Sequence, residues 1–337
     1  MKILAYDDNP GFGGHQIMAC QGLRALAAEP SVDLVCMVRP GNQLLAKALS
    51  PLPILPADPF RIRNIQPDKV LCIQGDIGQS KRGVKASVHA GIECISYIAI
   101  PHPLAEMGAK LGAIRDWLNR PFLNMPDRFI TISGTMRDIL VDRGCAKPVS
   151  IVPNGIPKPQ TTNHKPQAEH PVIGVVGRIE FKQKQQDAML KAFLEQTETF
   201  KDCRLLFVGG GPDEDKLNAM VRKHATISCL PWQNDVEAIF QQIDVLAIPS
   251  RYEGVPLVML EALVRGIPAI GSARDGMKEM LPSDWTFEPG DAKGIADAFE
   301  KVRAHGKDHT EVLRAKMLAE HSLEAFNANF TAAILQS

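Results

Sequence analysis

The feature that most constrains this chain is a repeated unit. A short apolar run ends at glycine or proline, a tight loop follows, and a helix-forming stretch comes next. The clearest copy begins with Ile243-Asp244-Val245-Leu246-Ala247-Ile248. Pro249 closes it, since proline cannot donate to a sheet ladder. After Gly254 the residues Leu257 to Val264 form helix without a breaker. Other copies start at Lys2, Val70, Cys94, Phe129, Val172, Arg204 and Pro268. Strands that alternate with helices pair in parallel, so the expected class is α/β. In such sheets ligands sit beyond the carboxyl ends of the strands.

At 337 residues the chain exceeds one typical core, and two domains are expected. Pro157 to Pro171 holds four prolines and no apolar run, which marks a linker. The expected division is a first α/β domain over 1–157, a linker over 158–171 and a second α/β domain over 172–310. A C-terminal helix over 311–337 would pack back on the first domain. The tail from Asp291 to Leu335 reads as helical throughout.

Formal net charge is zero, so no nucleic-acid partner is indicated. The seven cysteines form no C-x-x-C pair, and several lie in apolar runs. They read as buried thiols of a reducing cytosol. No run approaches the roughly 20 apolar residues of a membrane span, and the amino terminus does not read as a signal peptide. Leu104 to Leu123 reads as an amphipathic helix bearing Lys110, Arg115 and Arg120. Such a helix could touch the inner face of the plasma membrane from the cytoplasm. The preferred reading is an ordinary packed helix with a solvated face.

The stretch Pro249 to Ala262 carries the strongest chemical signal. Its helix start offers unpaired N–H groups and a positive dipole end, both suited to phosphate. Glu253 and Glu261 bracket that site. Carboxylates repel phosphate, so these two suit neutral hydroxyls. A ligand with central phosphates and hydroxyls on both sides is a nucleotide sugar. After Val172–Val176, Arg178, Lys182 and Lys184 supply positive charge for phosphate, Arg as a fork and Lys as a point charge. Pro231 ends another strand, where backbone could frame a base.

Two glycine-rich turns invite a dinucleotide reading and fail it. In Gly11-Phe12-Gly13-Gly14-His15-Gln16 the third glycine position is Gln16, and in Gly209-Gly210-Gly211-Pro212-Asp213-Glu214 the spacing breaks at Glu214. Gly13 and Gly14 either admit a ligand close to backbone or form a plain turn. Asp213-Glu214-Asp215 could hold a divalent metal. Acids in a first helical turn also suit the dipole, and that reading is preferred. His102, between Pro101 and Pro103 at a strand end, is placed for chemistry more than a lone histidine usually is.

In this order, these pieces resemble the retaining glycosyltransferases of family GT4, which have the GT-B fold of two Rossmann-like domains facing a central cleft. The resemblance rests on Gly177-Arg178 with a following lysine, Gly209 to Pro212, Glu253-x7-Glu261, and Gly271 through Glu279. Gly13-Gly14, His102, Ser133 and Val152-Pro153-Asn154-Gly155 add a looser match. The lysine is not followed by the family's usual glycine, which leaves Lys182 and Lys184 both open. Pro157 stands where an aspartate is common.

The resemblance implies transfer of a sugar, with retention, from a UDP- or GDP-sugar to a glycan or glycolipid in bacterial envelope polysaccharide or lipopolysaccharide assembly. It implies no metal or other cofactor. His102, Arg178, Lys184 and Glu253 would do the chemistry. Arg178, Lys184 or Lys182, and the backbone of Gly254, Val255, Pro256, Leu257 and Val258 would hold the diphosphate. Glu261 would bind ribose, Glu253 the donor sugar, and Gly13, Gly14, Gly209 and Pro231 would line the donor. The alternatives are an inactive nucleotide-sugar or carbohydrate-binding protein and a GT-B-fold epimerase.

Overall fold

The computed structural model describes residues 1–160, 169–233 and 235–336. The chain folds as two compact units. One comprises Met1–Gly155 together with the tail from Leu323, and the other Ile156–Ser322. Most of the expected linker, residues 161–168, lies outside the described residues.

The first unit is built on seven strands: β1 (Lys2–Asp7), β2 (Asp33–Val38), β3 (Ile54–Pro56), β4 (Lys69–Gln74), β5 (Glu93–Ile98), β6 (Arg128–Thr131) and β7 (Val149–Ile151). They pair in parallel in the order β3-β2-β1-β4-β5-β6-β7. The second unit has six: β8 (Val172–Val176), β9 (Arg204–Val208), β10 (Ile227–Leu230), β11 (Val245–Ile248), β12 (Ala269–Ser272) and β13 (Thr286–Phe287). These are parallel in the order β10-β9-β8-β11-β12-β13. A parallel sheet is covered on both faces, so its strands read as unbroken apolar runs rather than alternating ones. Ile3, Leu4, Val70, Leu71, Cys72, Leu246 and Ala247 are all almost wholly buried for this reason.

Both sheets reverse their order in the same place. In the first, β1 neighbours β2 and β4; in the second, β8 neighbours β9 and β11. At such a switch point the loops leaving two adjacent strands diverge to opposite faces and leave a crevice between them. The fold therefore sets the loop after β8 beside the loop after β11, and the loop after β1 beside the loop after β4.

The tail is not one helix. A helix spans Ala292–Glu320, the chain breaks at His321-Ser322, and a second helix spans Leu323–Leu335. The break is fixed within the second unit: the Ile156 amide donates to the His321 carbonyl at 2.9 Å, and Ile156 bridges Ser322. Residues 311–320 thus continue the long helix, and the tail enters the first unit only at Leu323. There Phe330 packs edge-on against Tyr97, ring centroids 5.5 Å apart. Lys69 Nζ donates to the Ile334 and Gln336 carbonyls at 3.1 and 2.6 Å, and Arg128 reaches the same two at 3.0 Å. Cations at a helix carboxyl end satisfy orphan carbonyls and oppose the dipole. Glu93 pairs with both cations, at 3.2 and 3.0 Å, and balances their charge.

The expected helix over 104–123 is also shorter. Only Gly112–Asn119 is α-helical, followed by a 3-10 turn over Arg120–Leu123. Gly108 and Leu111 both adopt positive φ, 65° and 55°, which stops a right-handed helix from running through 104–111. Nor does this helix bury its apolar side. Leu111, Ile114, Trp117 and Leu118 are 66%, 56%, 72% and 58% exposed, while Gly112 and Asn119 are buried.

All seven cysteines are free. Six are buried, and Cys229 is intermediate. Among the described residues, no helix is long and apolar enough to cross a membrane.

Candidate functional site

The switch point of the second unit gathers the residues singled out above. Gly177, Arg178 and Glu180 leave β8, a helical turn spans Phe181–Lys184, and a longer helix spans Gln186–Glu195. Gln186 ties this loop to its helix: its Nε2 donates to the Arg178 carbonyl at 2.8 Å, and its Oε1 accepts from the Glu180 amide at 3.2 Å. The loop after β11 docks on the same turn. The Arg251 amide donates to the Gln183 carbonyl at 2.8 Å, and Gln183 Nε2 donates to the Tyr252 carbonyl at 3.3 Å. These bonds bring Lys184 Nζ to 2.5 Å from Glu253 Oε1, with the side chains 26% and 6% exposed. Lys182 lies exposed on the same turn and makes no such pair among the described residues. The geometry therefore brings Lys184, not Lys182, to Glu253.

Arg178 is held differently. Its guanidinium pairs with Glu180 and touches Gln183 Oε1 at 3.3 Å, yet it is 59% exposed. Each of the two basic groups is thus oriented by an acid of its own neighbourhood. Sequence patterning had placed the cations and acids separately, and it had not paired them.

The Glu253 loop rests on the turn after β12. Asp275, itself at φ 50°, accepts the Glu253 amide proton at 2.7 Å, and Ser272 Oγ donates to the Ser250 carbonyl. The Gly276 amide donates to the Gly254 carbonyl at 3.0 Å. A Cβ on Gly276 would lie 2.6 Å from that carbonyl oxygen and 2.8 Å from Val255 Cγ2, so only glycine permits the approach. Asp275 escaped the sequence reading because nothing local signals that it caps a loop 22 residues upstream.

Gly254, Val255 and Pro256 are buried, and Pro256 is the N-cap of the helix Leu257–Val264. Met259 and Leu260 both donate to the Pro256 carbonyl. The Leu257 and Val258 amides have no backbone acceptor among the described residues, as the first turn of a helix requires. Glu261 lies one turn further along. Burial, with Glu237 nearby, pushes its carboxyl above the ordinary range, although Arg265 opposes the shift. Arg265 is committed elsewhere: it grips Glu237 at 2.6 and 3.2 Å and stacks 4.9 Å from the centre of the Phe240 ring. Glu261 therefore keeps a partly buried carboxyl that forms no side-chain hydrogen bond or ion pair among the described residues.

Gly209 backs the site. Its φ is 149°, and a Cβ there would fall 1.9 Å from the Gly177 carbonyl oxygen, so the turn after β9 packs directly on the turn after β8. Pro231 follows β10 at the surface, beside Trp232, which is 64% exposed. Asp213 serves structure: its Oδ2 accepts the Phe181 amide at 3.0 Å and its Oδ1 accepts Lys216 at 2.6 Å. Asp215 lies in the first turn of the helix Glu214–Val221. No group of three or more His, Cys, Asp or Glu suited to a metal occurs among the described residues.

In the first unit the loops after β1, β4 and β5 form a second cluster. Gly13 is the N-cap of the helix Gly14–Ala27, and its amide donates to Gln16 Oε1 at 2.8 Å. Gln16, read as a defect in a glycine fingerprint, is instead a capping residue. His15 packs against Gly75 of the β4 loop, with its Nε2 buried and without a hydrogen-bond partner. Burial pushes its pKa down to about 4 and raises that of Asp7, at the end of β1, to about 6. His102 is buried after β5. Its carbonyl accepts from Arg143 at 3.0 Å, and Arg143 pairs with Asp116 at 2.9 Å. Asp116 in turn accepts the Leu104 and Ala105 amides at 2.9 Å, which clamps the loop that carries His102.

A family model described as "Glycosyl transferases group 1" matches residues 170–305, which include the whole Lys184–Glu253 arrangement and Glu261. The second unit is similar to the group 1 glycosyltransferases. Two of the curated relatives that this chain matches are bacterial. Glycogen synthase of Mycobacterium tuberculosis is 26% identical over 209 residues, 58% of this chain and 49% of that protein. Lipopolysaccharide 1,6-galactosyltransferase of Escherichia coli is 26% identical over 269 residues, 74% of this chain and 69% of that protein. The chain thus spans about half the length of the first of these. Among solved structures, the Anabaena protein Alr3699/HepE, crystallised with UDP and glucose, superposes with a TM-score of 0.81 at 14% identity over 100% of both chains. The chain therefore has the fold of the GT-B glycosyltransferases, two Rossmann-like parallel-sheet domains.

Proposed function

We propose that this chain transfers a sugar from a nucleoside-diphosphate donor to a glycan or glycolipid acceptor, with retention of anomeric configuration. The observation that carries the reading is the partly buried Lys184–Glu253 pair beside the open N-terminus of the helix Leu257–Val264, at the switch point of the second unit.

Breaking the bond between the anomeric carbon and the diphosphate leaves negative charge on the diphosphate. Fixed donors aimed at that charge lower the barrier most. Lys184, Arg178 and the amides of Leu257 and Val258 are such donors, and in this reading they do the work a metal ion would otherwise do. Glu253, held by Lys184 and Asp275, accepts hydrogen bonds from the donor sugar's hydroxyls. Glu261 accepts from the ribose. Its raised carboxyl suits a buried site in which it meets neutral hydroxyls rather than another cation. Gly209 and Pro231 line the nucleotide side. The acceptor is assigned to the first unit, with Gly13, Gly14 and His102. A UDP-sugar is the first donor to test, because the Anabaena structure of the same fold holds UDP. The galactosyltransferase likeness supports an acceptor of the cell envelope.

A thermal-shift panel of UDP-, GDP- and ADP-sugars tests the donor, since a ligand that binds the folded state raises its melting point. One class should raise the melting temperature of wild type, and Glu261→Ala should weaken that binding by about tenfold, the worth of roughly one hydrogen bond to a charged group. A panel in which no nucleotide sugar shifts wild type would overturn the reading. Binding without turnover on any acceptor would point instead to a sugar-nucleotide-binding protein.

A further inference from the structure

The helix Gly112–Asn119 is amphipathic in the reverse of the usual sense. Its inner side carries a glycine, an acid and an amide: Gly112 and Asn119 are buried, and Asp116 is bonded to Arg143 and two amides. A Cβ on Gly112 would fall 2.5 Å from the Ala105 backbone, so the helix is seated tightly by that polar side. Leu111, Ile114, Trp117 and Leu118 recur at helical spacing and point outward, each more than half exposed. A contiguous exposed apolar face on a seated helix marks an interaction surface, because scattered single exposures would need no explanation.

The charges around this face are mostly basic, with Asp76 near Arg115 and Glu106 exposed in the preceding loop as the exceptions. Lys110, Arg115 and Arg120 are exposed on and beside the helix. Lys81 and Lys85 approach from the neighbouring helix Lys81–Ala90, 5.6 and 5.4 Å from the centre of the Phe122 ring, and Lys81 bonds Asn119 at 3.1 Å. The helix's own acid, Asp116, is already neutralised by Arg143. Four apolar side chains on about two turns cover far less than the roughly 800 Å² per partner of a stable protein interface. An apolar strip with a Trp and a basic rim instead matches what an anionic bilayer offers, acyl chains below and phosphate headgroups around. Trp favours that boundary because its ring is apolar and its N–H polar.

We propose that the Leu111–Arg120 face docks this chain on an anionic lipid surface, with Ile114, Trp117 and Leu118 inserted and Lys110, Arg115 and Arg120 on headgroup phosphates. The docking is independent of sugar transfer and is measured without it.

The test is cosedimentation of the full chain with phosphatidylcholine vesicles containing phosphatidylglycerol, against phosphatidylcholine alone. Wild type should pellet with the mixed vesicles and release at high salt. Trp117→Ser/Leu118→Ser should lose about a hundredfold in partition, from two large apolar side chains at about 1.5 kcal/mol each. Lys110→Ser/Arg115→Ser should lose about tenfold or more, at about 1 kcal/mol per basic residue. All four side chains are exposed, so the variants should keep the wild-type melting temperature, which is checked alongside. Wild type that stays in the supernatant with both vesicles overturns the proposal. So does equal pelleting of wild type and the Trp117/Leu118 variant. A wild-type dimer on size exclusion that this variant converts to monomer would also overturn it, by assigning the face to a second copy.

Discussion

Replacing Lys184 by methionine keeps side-chain bulk and removes the charge, which isolates what the cation does for Glu253. Breaking a buried ion pair from one side costs about 3–5 kcal/mol, because the remaining charge is buried alone. The Glu253 side chain is 6% exposed and faces nearly that full penalty. The loss on Lys184→Met is therefore expected to be about 3 kcal/mol. Glu253→Gln should cost less, about 1 kcal/mol, since Lys184 is 26% exposed and can turn to water. The double variant should recover about 2 kcal/mol relative to the sum, the coupling typical of contacting charges. Two units need not unfold together, so stability is read from the urea transition that a bound nucleotide shifts. Losses that add within about 0.5 kcal/mol would refute the pair as described. The double variant also separates structure from chemistry. It should refold well and stay inactive, and recovered turnover would reduce Lys184 to a scaffold role.

Two further outcomes follow from the same geometry. Gly276→Ala places a methyl 2.6 Å from the Gly254 carbonyl oxygen and must displace the Glu253 loop, so nucleotide affinity by calorimetry should fall about tenfold or more, with about 1–3 kcal/mol of overpacking cost; unchanged affinity would refute the loop contact. His15 and Asp7 should oppose each other in acid. His15 stays neutral to about pH 4 when folded but protonates near 6.5 unfolded, so its contribution is present above pH 6.5 and is lost on acidification toward 4, by about 3 kcal/mol. Asp7 takes a proton at about 6 when folded and 3.8 unfolded, so stability rises by about 3 kcal/mol as pH falls through that window. Relative to wild type, His15→Phe should gain stability from pH 7 to pH 4.5 and Asp7→Asn should lose it, by urea titration; parallel curves would show that neither group titrates as described.

The alternation of apolar runs with glycine or proline turns was enough to determine the α/β class and most strands, because a parallel strand buried on both faces leaves an unbroken apolar run. The same reasoning singled out the loops proposed to hold the donor, since a phosphate site needs a helix start, cations and small residues close together in sequence. Glu253-x7-Glu261 was legible for that reason.

The partners of those residues were not, because they come from other strands. Local sequence could not choose between Lys182 and Lys184; the bond from Arg251 to Gln183 seats the turn so that Lys184 alone reaches Glu253. Asp275 caps the Glu253 loop only because β11 and β12 are neighbours. The helix at 112–119 shows the limit most plainly. Its periodicity gave an apolar side, and the ordinary expectation was that this side is packed. Positive φ at Gly108 and Leu111, together with the Arg143–Asp116 anchor, turns the polar side inward and leaves the apolar side in solvent. Periodicity along a helix fixes which residues share a face. Which face meets the core depends on contacts across the fold, and only the tertiary structure decided it.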